Sequence, residues 1–427
     1  MRLNYKRTFF IGFAFLSISA FWQLYDSLVP LMLKNTFGLG ETITGSIMAI
    51  DNILALFLLP LFGAFSDKVD TRFGKRTPFI VIGTFFAVVF MMLIPRADQA
   101  SNFLLFFISL GLTLLAMGTY RSPAVALMPD LTPKPLRSKA NAVINLMGAV
   151  GYIFALAIIK LLVKKEDNPD YTLVFALVAL LMVVAVVILI ITIREKKLAA
   201  ELAEQDPAEE AATGQEQRAK TGPLPADVRK SLLFLLASIF LWFTAYNAVT
   251  TAYSRYAGEV WGLKGGDFAD SLMVAGAAAI VSYIPIGMIA SAIGRKKTIV
   301  IGILMMSASY LCGFLFAQYS PWINVVFAFT GIGWSAINVN SYPMVVEMSR
   351  SGDVGKYTGY YYTFSMAAQV FTPIFSGFLL ENISYRTLFP YAVVFSLLSL
   401  CTMIMVKHGD SRPPRRKSRL EHFDVED

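Results

Sequence analysis

Twelve blocks of predominantly apolar sequence leave this chain with one class of fold. A helix crossing ~30 Å of hydrocarbon needs ~20 apolar residues. Blocks of about that length run near residues 8–33, 43–65, 77–95, 102–126, 140–163, 171–193, 230–256, 268–291, 297–317, 321–347, 357–380 and 386–406. The expected fold is an all-α integral membrane protein with twelve transmembrane helices. Of its 427 residues 56% are hydrophobic and 15% charged, with mean hydropathy +0.60, whereas soluble proteins average about 25% charged residues. A water-soluble enzyme is therefore excluded. The first block stays apolar too long for a secretory signal and has no small-residue cleavage site, so it reads as a retained helix.

Metal and disulfide chemistry find little material. Cys312 and Cys401 are isolated thiols inside apolar runs, and the two histidines, His408 and His422, lie in the polar C-terminal tail. Neither a buried His ligand set nor an intramembrane imidazole relay is available, and no cofactor or metal is expected. No phosphate-cradling loop or Ser/His pair points to catalysis.

The joining segments are short except residues 194–229, which are rich in Ala, Glu and Gln and carry Pro207, Pro223 and Pro225. That composition reads as an amphipathic extension followed by a flexible linker. It divides the chain into a six-helix half (1–193), the linker (194–229), a second six-helix half (230–406) and a tail (407–427). Basic residues are retained on the cytoplasmic side. With the N-terminus inside, 28 of the 37 Lys and Arg residues fall in inside segments, eight at the opposite side and one, Arg121, within a span. Both termini are expected to be cytoplasmic, and topology accounts for the net charge of +8 without a nucleic-acid partner.

The halves repeat one another. Gly63-Ala64-Phe65-Ser66-Asp67 followed by Gly74-Lys75-Arg76 returns as Gly287-Met288-Ile289-Ala290-Ser291 followed by Gly294-Arg295-Lys296-Lys297. Pro123, Asp130 and Arg137 parallel Pro343, Glu347 and Lys356. Repeats of this size pair two halves around a midplane cavity in many secondary transporters. Gly63-x-x-x-Asp67-Lys68 with Gly74-Lys75-Arg76 resembles the signature of the major facilitator superfamily between helices two and three. The longer run from Ser66 to Ile80 is similar to the sucrose/maltose-type solute carriers and the related glycoside-pentoside-hexuronide:cation symporters. Arg121-Ser122-Pro123, Asp130 and Arg137-Ser138-Lys139-Ala140-Asn141-Ala142 add to that resemblance. It implies a twelve-helix, pseudo-symmetric symporter of a sugar and a cation, the proton above others. The sodium-coupled melibiose-type members carry an acidic pair before the helix-two proline, where this chain has Leu54 to Leu59 before Pro60.

Only Asp26, Asp51 and Arg121 fall well within spans. A charge at mid-bilayer costs at least ~2.5 kcal/mol on insertion scales, so such residues normally face a cavity or a partner. The ~1.5 Å rise per residue sets Asp26 and Asp51 roughly 10 to 12 Å below the outer surface, at similar depth on consecutive helices. Such carboxylates can trade a proton near neutral pH. Asp26 is expected to couple protons, with Asp51 as its partner or a second proton site; the alternative for Asp51 is a fixed hydrogen bond to a neighbouring helix. Arg121 lies nearer the cytoplasmic end of helix four. It should not pair directly with Asp26, and it either donates to substrate hydroxyls or braces the turn beside Pro123.

Sugars combine apolar ring faces with many hydroxyls, so aromatic faces and amide or hydroxyl side chains suit them. Substrate-binding candidates at helical spacing are Trp22, Gln23, Arg121, Asn145, Tyr246, Asn247, Trp334, Asn338, Tyr361 and Gln369. Interfacial aromatic belts are the competing explanation for Trp and Tyr near span ends. A cytoplasmic gate is expected from Gly63, Asp67, Arg72, Gly74, Lys75, Arg76, Asp130, Arg137 and Glu347, whose pairs would interlock the halves and favour an outward-open state. Asp130 and Arg137 resemble the sugar-porter inner salt-bridge motif. The competing role of the basic members is topology and contact with anionic lipid.

The expected partners are thus a small-molecule substrate (a sugar), protons and membrane lipid, for a monomer in the plasma or cytoplasmic membrane. Competing functions are a proton-coupled exporter of drugs or metabolites and a non-transporting membrane sensor or scaffold.

Overall fold

The computed structural model describes residues 3–133, 136–166, 169–205, 225–348 and 354–410, the side chains of 137–139, 203–205 and 354–356 excepted. The first six spans comprise α1 (Tyr5–Asn35), α2 (Glu41–Lys68), α3 (Thr77–Met91) with its continuation α4 (Leu93–Gln99), α5 (Phe103–Asp130), α6 (Arg137–Leu162) and α7 (Thr172–Thr192). A short helix, α8 (Glu195–Gln205), follows. The last six are α9 (Ala226–Trp261), α10 (Ala269–Ile293), α11 (Arg295–Leu315), α12 (Ile323–Glu347), α13 (Val354–Asn382) and α14 (Leu388–Ile404). Among the described residues twelve spans are long and apolar enough to cross a membrane, the third formed by α3 and α4 together.

The break in the third span has a local cause: Pro95 has no N–H to offer the carbonyl four residues back, at Met91 where α3 ends. Many helix surfaces are apolar on the outside as well. On α7, Leu173, Leu180, Val184, Val187 and Ile191 form an exposed stripe at helical spacing, as a lipid-facing surface requires. The opposite face of α7 buries Phe175, Val178, Met182, Val186 and Leu189.

Within the first group α1 packs on α6 and α7, and α3 on α5 and α7. Within the second, α12 packs on α10 and α11, and α9 on α13 and α14. The groups meet where α2 crosses α13, α6 crosses α10 and α1 touches α9. The α2–α13 crossing is close enough to demand glycine, because a Cβ on Gly45 would lie 1.9 Å from the Pro373 carbonyl oxygen.

The repeat is visible in detail. α5 contains Pro123 and ends at Asp130, and α12 contains Pro343 and ends at Glu347. Gly74 and Gly294 both take positive φ, +113° and +96°, in the connections that lead into α3 and α11.

Candidate functional site

Asp26 and Asp51 emerge half-buried from α1 and α2, and Arg121 half-buried from α5. The three form one electrostatic cluster: Asp26 feels both Asp51 and Arg121, and Asp51 feels Arg121. No carboxylate–guanidinium pair within 4 Å joins them among the described residues, yet Arg121 acts on both acids. Its guanidinium lies 5.5 Å from the Trp22 ring centre, one helical turn from Asp26 on the same face of α1. Asp51 accepts a hydrogen bond from Asn52 Nδ2 at 2.7 Å. Tyr25 and Tyr152 join the cluster, since the Asp26 charge acts on both.

Tyr152 links this cluster to the other group. Its hydroxyl donates to the Leu272 carbonyl at 3.4 Å, and it interacts with Tyr246 on α9. Tyr246 stacks flat on Trp334 of α12, with ring centres 3.8 Å apart and planes 5° apart. Phe243 closes against Trp334 edge-on at 5.1 Å. Asn247, next to Tyr246, has its Nδ2 buried without a hydrogen-bond partner. The Trp22 indole N–H is likewise buried and unpartnered. Buried donors of this kind carry a free-energy cost unless a water or ligand engages them.

The other substrate candidates divide. Asn338 is buried on α12 one turn from Trp334, and Asn145 is half-buried on α6. Tyr361 is buried among Phe243, Tyr342 and Tyr362. Gln369 lies half-buried with its amide directed at the Ser365 carbonyl, 3.5 Å away on its own helix. Gln23 is buried and donates to Ser27 Oγ on α1 at 2.7 Å, an intrahelical contact that directs its amide nitrogen to its own helix.

The expected gate residues gather at one end of the bundle. At the end of the bundle bearing the termini, the ion pairs seen among the described residues lie within each group. Arg76 Nε reaches Asp130 at 2.8 Å, and its other nitrogens engage Asp67 and Ser66. Lys75 lies 3.4 Å from Asp130. Gly63 offers its carbonyl to Ser66 Oγ at 2.9 Å. Arg72 is exposed, 4.7 Å over the Phe73 ring. Glu347 pairs with Arg295 inside the second group. The side chain of Arg137 lies outside the described residues. The physical reason is proximity: Asp67, Arg76 and Asp130 already meet on neighbouring helix ends of one group, which satisfies the guanidinium there.

A second layer behind these pairs was not legible in the sequence. Glu195, the first residue of α8, is buried and accepts from the backbone N–H groups of Lys75, Arg76 and Thr77, each at 2.8 Å, and from Thr77 Oγ1 at 2.7 Å. It caps the N-terminus of α3 from elsewhere in the chain. Gly74 makes room for it, because a Cβ there would lie 2.3 Å from Glu195 Cδ. Asp410, just after the last span, does the same for α11 by accepting from Lys296 N at 2.8 Å beside Gly294. Both acids recur at about the repeat spacing, which is the signal that could have found them.

The opposite end of the bundle carries ion pairs that do join the groups. Arg255 of α9 meets Glu41 of α2 at 2.6 Å, and Lys34 reaches Glu259. Lys160 of α6 lies 2.9 Å from Asp267 and 2.7 Å from Asp270, and Lys165 lies 2.6 Å from Asp267.

Comparison with known proteins supports this architecture. The family model described as Major Facilitator Superfamily matches residues 11–282 and 269–424. The sucrose transport protein SUC3 of Arabidopsis thaliana is 30% identical over 151 residues, 31% of this chain and 25% of that protein. The sucrose transport protein SUT3 of Oryza sativa subsp. indica is 28% identical over 154 residues, 31% of this chain and 30% of that protein. The chain thus spans well under half the length of the curated relatives it matches. The inward-open xylose transporter XylE from E. coli superposes with a TM-score of 0.66 at 14% identity, covering 92% of this chain and 94% of that one. The nucleoside transporter NupG superposes at 0.68 with 14% identity over 95% and 100%. These superpositions show the fold, and the family model covers nearly the whole sequence. With twelve spans in the fold of that family, this chain belongs to the major facilitator superfamily and is a multi-pass membrane protein.

Proposed function

We propose that this chain transports a sugar, a disaccharide or other glycoside, together with protons by alternating access, its six-helix halves (1–193 and 230–406) rocking about the central cluster. Both termini face the cytoplasm in this reading, the end clasped by Glu41 and Arg255 faces outward, and the chain acts as a monomer in the plasma or cytoplasmic membrane. The observation that carries it is the Asp26–Asp51–Arg121 cluster, linked through Tyr152 to the Tyr246–Trp334 stack of the other half. The stack offers an apolar face for a sugar ring, and the unpartnered Asn247 amide and Trp22 indole offer donors for its hydroxyls. Low-identity likeness to two sucrose transport proteins favours the same substrate class.

Protons enter through charge balance. Two carboxylates against one guanidinium leave the cluster with excess negative charge, which is costly to carry through a dry, occluded state. Protonation of Asp26 removes that excess, and substrate release toward the cytoplasm returns the proton to water. The test is uptake of radiolabelled mono- and disaccharides by vesicles, with and without an imposed pH gradient. Gradient-driven accumulation of at least one sugar is expected, together with its loss in Asp26→Asn while counterflow persists. Accumulation unchanged in Asp26→Asn removes that residue from coupling, and dye efflux without sugar uptake replaces the symporter by an exporter.

A further inference from the structure

Among the described residues, the end of the bundle away from the termini carries ion pairs across the halves. One of them is set apart by burial. Glu41 and Arg255 are 3% and 5% exposed, whereas Lys160, Asp267 and Asp270 are 22–36% exposed in their side chains and are screened by water. Glu41 is also the centre of a network. Tyr385 donates its hydroxyl to Oε1, Lys34 approaches the same oxygen at 3.8 Å, and Lys34 in turn contacts Tyr385 and Glu259. Three elements from both halves, α1, α9 and the turn before α14, therefore converge on one carboxylate carried by α2.

The backbone is shaped to bring it there. Gly45 lies against the Pro373 carbonyl, and a Cβ on Gly377 would lie 2.4 Å from the carbonyl of Glu41 itself. Thr42 N donates to Glu381 Oε2 at 2.8 Å one turn away. This crossing of α2 and α13 buries Glu41 only while the two halves are together. When they part, both charges meet water.

We propose that Glu41 and Arg255 form a charge latch that closes the transporter on this side and sets the balance between its two conformations. The inference rests on the alternating-access reading and goes beyond it in assigning the latch. Its energetics are asymmetric. In the closed state the desolvation of each ion is balanced by the other, so removing one partner strands a buried charge, and opening relieves it by hydration. Removing both in favour of apolar side chains of similar volume strands nothing and leaves the closed state at least as favoured as before. A merely passive contact has no such reversal of sign.

The experiment uses the full-length protein in lipid nanodiscs without substrate, with Cys312 and Cys401 changed to serine. Spin labels at Ala100→Cys and Gln318→Cys, exposed at this end of opposite halves, report their separation by pulsed electron resonance. Glu41→Gln is expected to raise the ratio of separated to clasped molecules roughly tenfold. The double variant Glu41→Met, Arg255→Met is expected to return a single clasped distance. An unchanged distribution in Glu41→Gln, or a double variant as open as the single one, overturns the latch. The measurement needs neither sugar nor orientation, so a failed uptake assay and a failed latch are separate outcomes. Intact elution and melting of each variant establish that it is folded.

Discussion

Replacing Glu195 by alanine should loosen the start of α3 and nothing at the equivalent start of α11. Glu195 accepts three backbone N–H groups and one hydroxyl in a buried setting. Loss of an ordinary N-cap costs about 0.5–2 kcal/mol, and hydrogen bonds to a charged group contribute about 1.5–3 kcal/mol each. Water entering the vacated space recovers much of the sum, so about 2 kcal/mol of local stability is a conservative expectation. At 1.36 kcal/mol per factor of ten, that corresponds to roughly 30-fold faster amide exchange at Lys75, Arg76 and Thr77. Hydrogen–deuterium exchange of a peptide spanning 73–80 reads it directly. Gly74→Ala should give a similar loss, because the added Cβ meets Glu195 Cδ at 2.3 Å and the residue sits at φ +113°. Asp410→Ala, which removes one N–H acceptor at Lys296, serves as the contrast at α11. Exchange over 73–80 that stays at the parent rate in Glu195→Ala refutes the cap.

Three further outcomes follow from the geometry. Trp334→Ala removes the aromatic face on which the proposed sugar ring would rest, and at about 0.5–1.5 kcal/mol for such a contact the KM of any sugar taken up in the vesicle assay should rise about 3- to 10-fold. An unchanged KM would take the stack out of the site. Gly45→Val drives a side chain into the Pro373 carbonyl and should hold α2 off α13, opening the clasped end in the spin-label assay; a distance distribution like that of the parent contradicts the tight crossing. Burial pushes the Asp267 carboxyl up, but Lys165 and Lys160 outweigh it and hold the group below its ordinary value. A carboxyl so depressed contributes stability above its unfolded value near ~3.9, lost only as pH falls through the lower folded value. The Lys160–Asp267 contact should therefore hold the halves equally well from pH 7 to pH 5, and distances that lengthen within that window contradict the assignment.

The twelve spans were legible in the chain because hydrocarbon imposes a length and a composition that no neighbouring helix alters. The same constraint made Asp26, Asp51 and Arg121 visible, since each is a charge where lipid tolerates none without a partner. The internal repeat, read from Gly74 and Gly294 and from Pro123 and Pro343, reappears as matched positive-φ turns and matched helices. What the sequence left open was which charges meet. Arg76 and Glu347 could pair across halves or within one, and spacing alone does not choose; the fold sets Asp67 and Asp130 beside Arg76 and Arg295 beside Glu347. Glu41 and Arg255 near the ends of their spans were indistinguishable from ordinary membrane-edge charges until the packing of α2, α9 and α13 buried them together. Glu195 belonged to a stretch that reads as linker, and only packing gave it three backbone amides to hold. Hydrophobic length is a property of a segment and is written in it, whereas the partner of a charge is a property of the approach between segments, which tertiary structure alone decides.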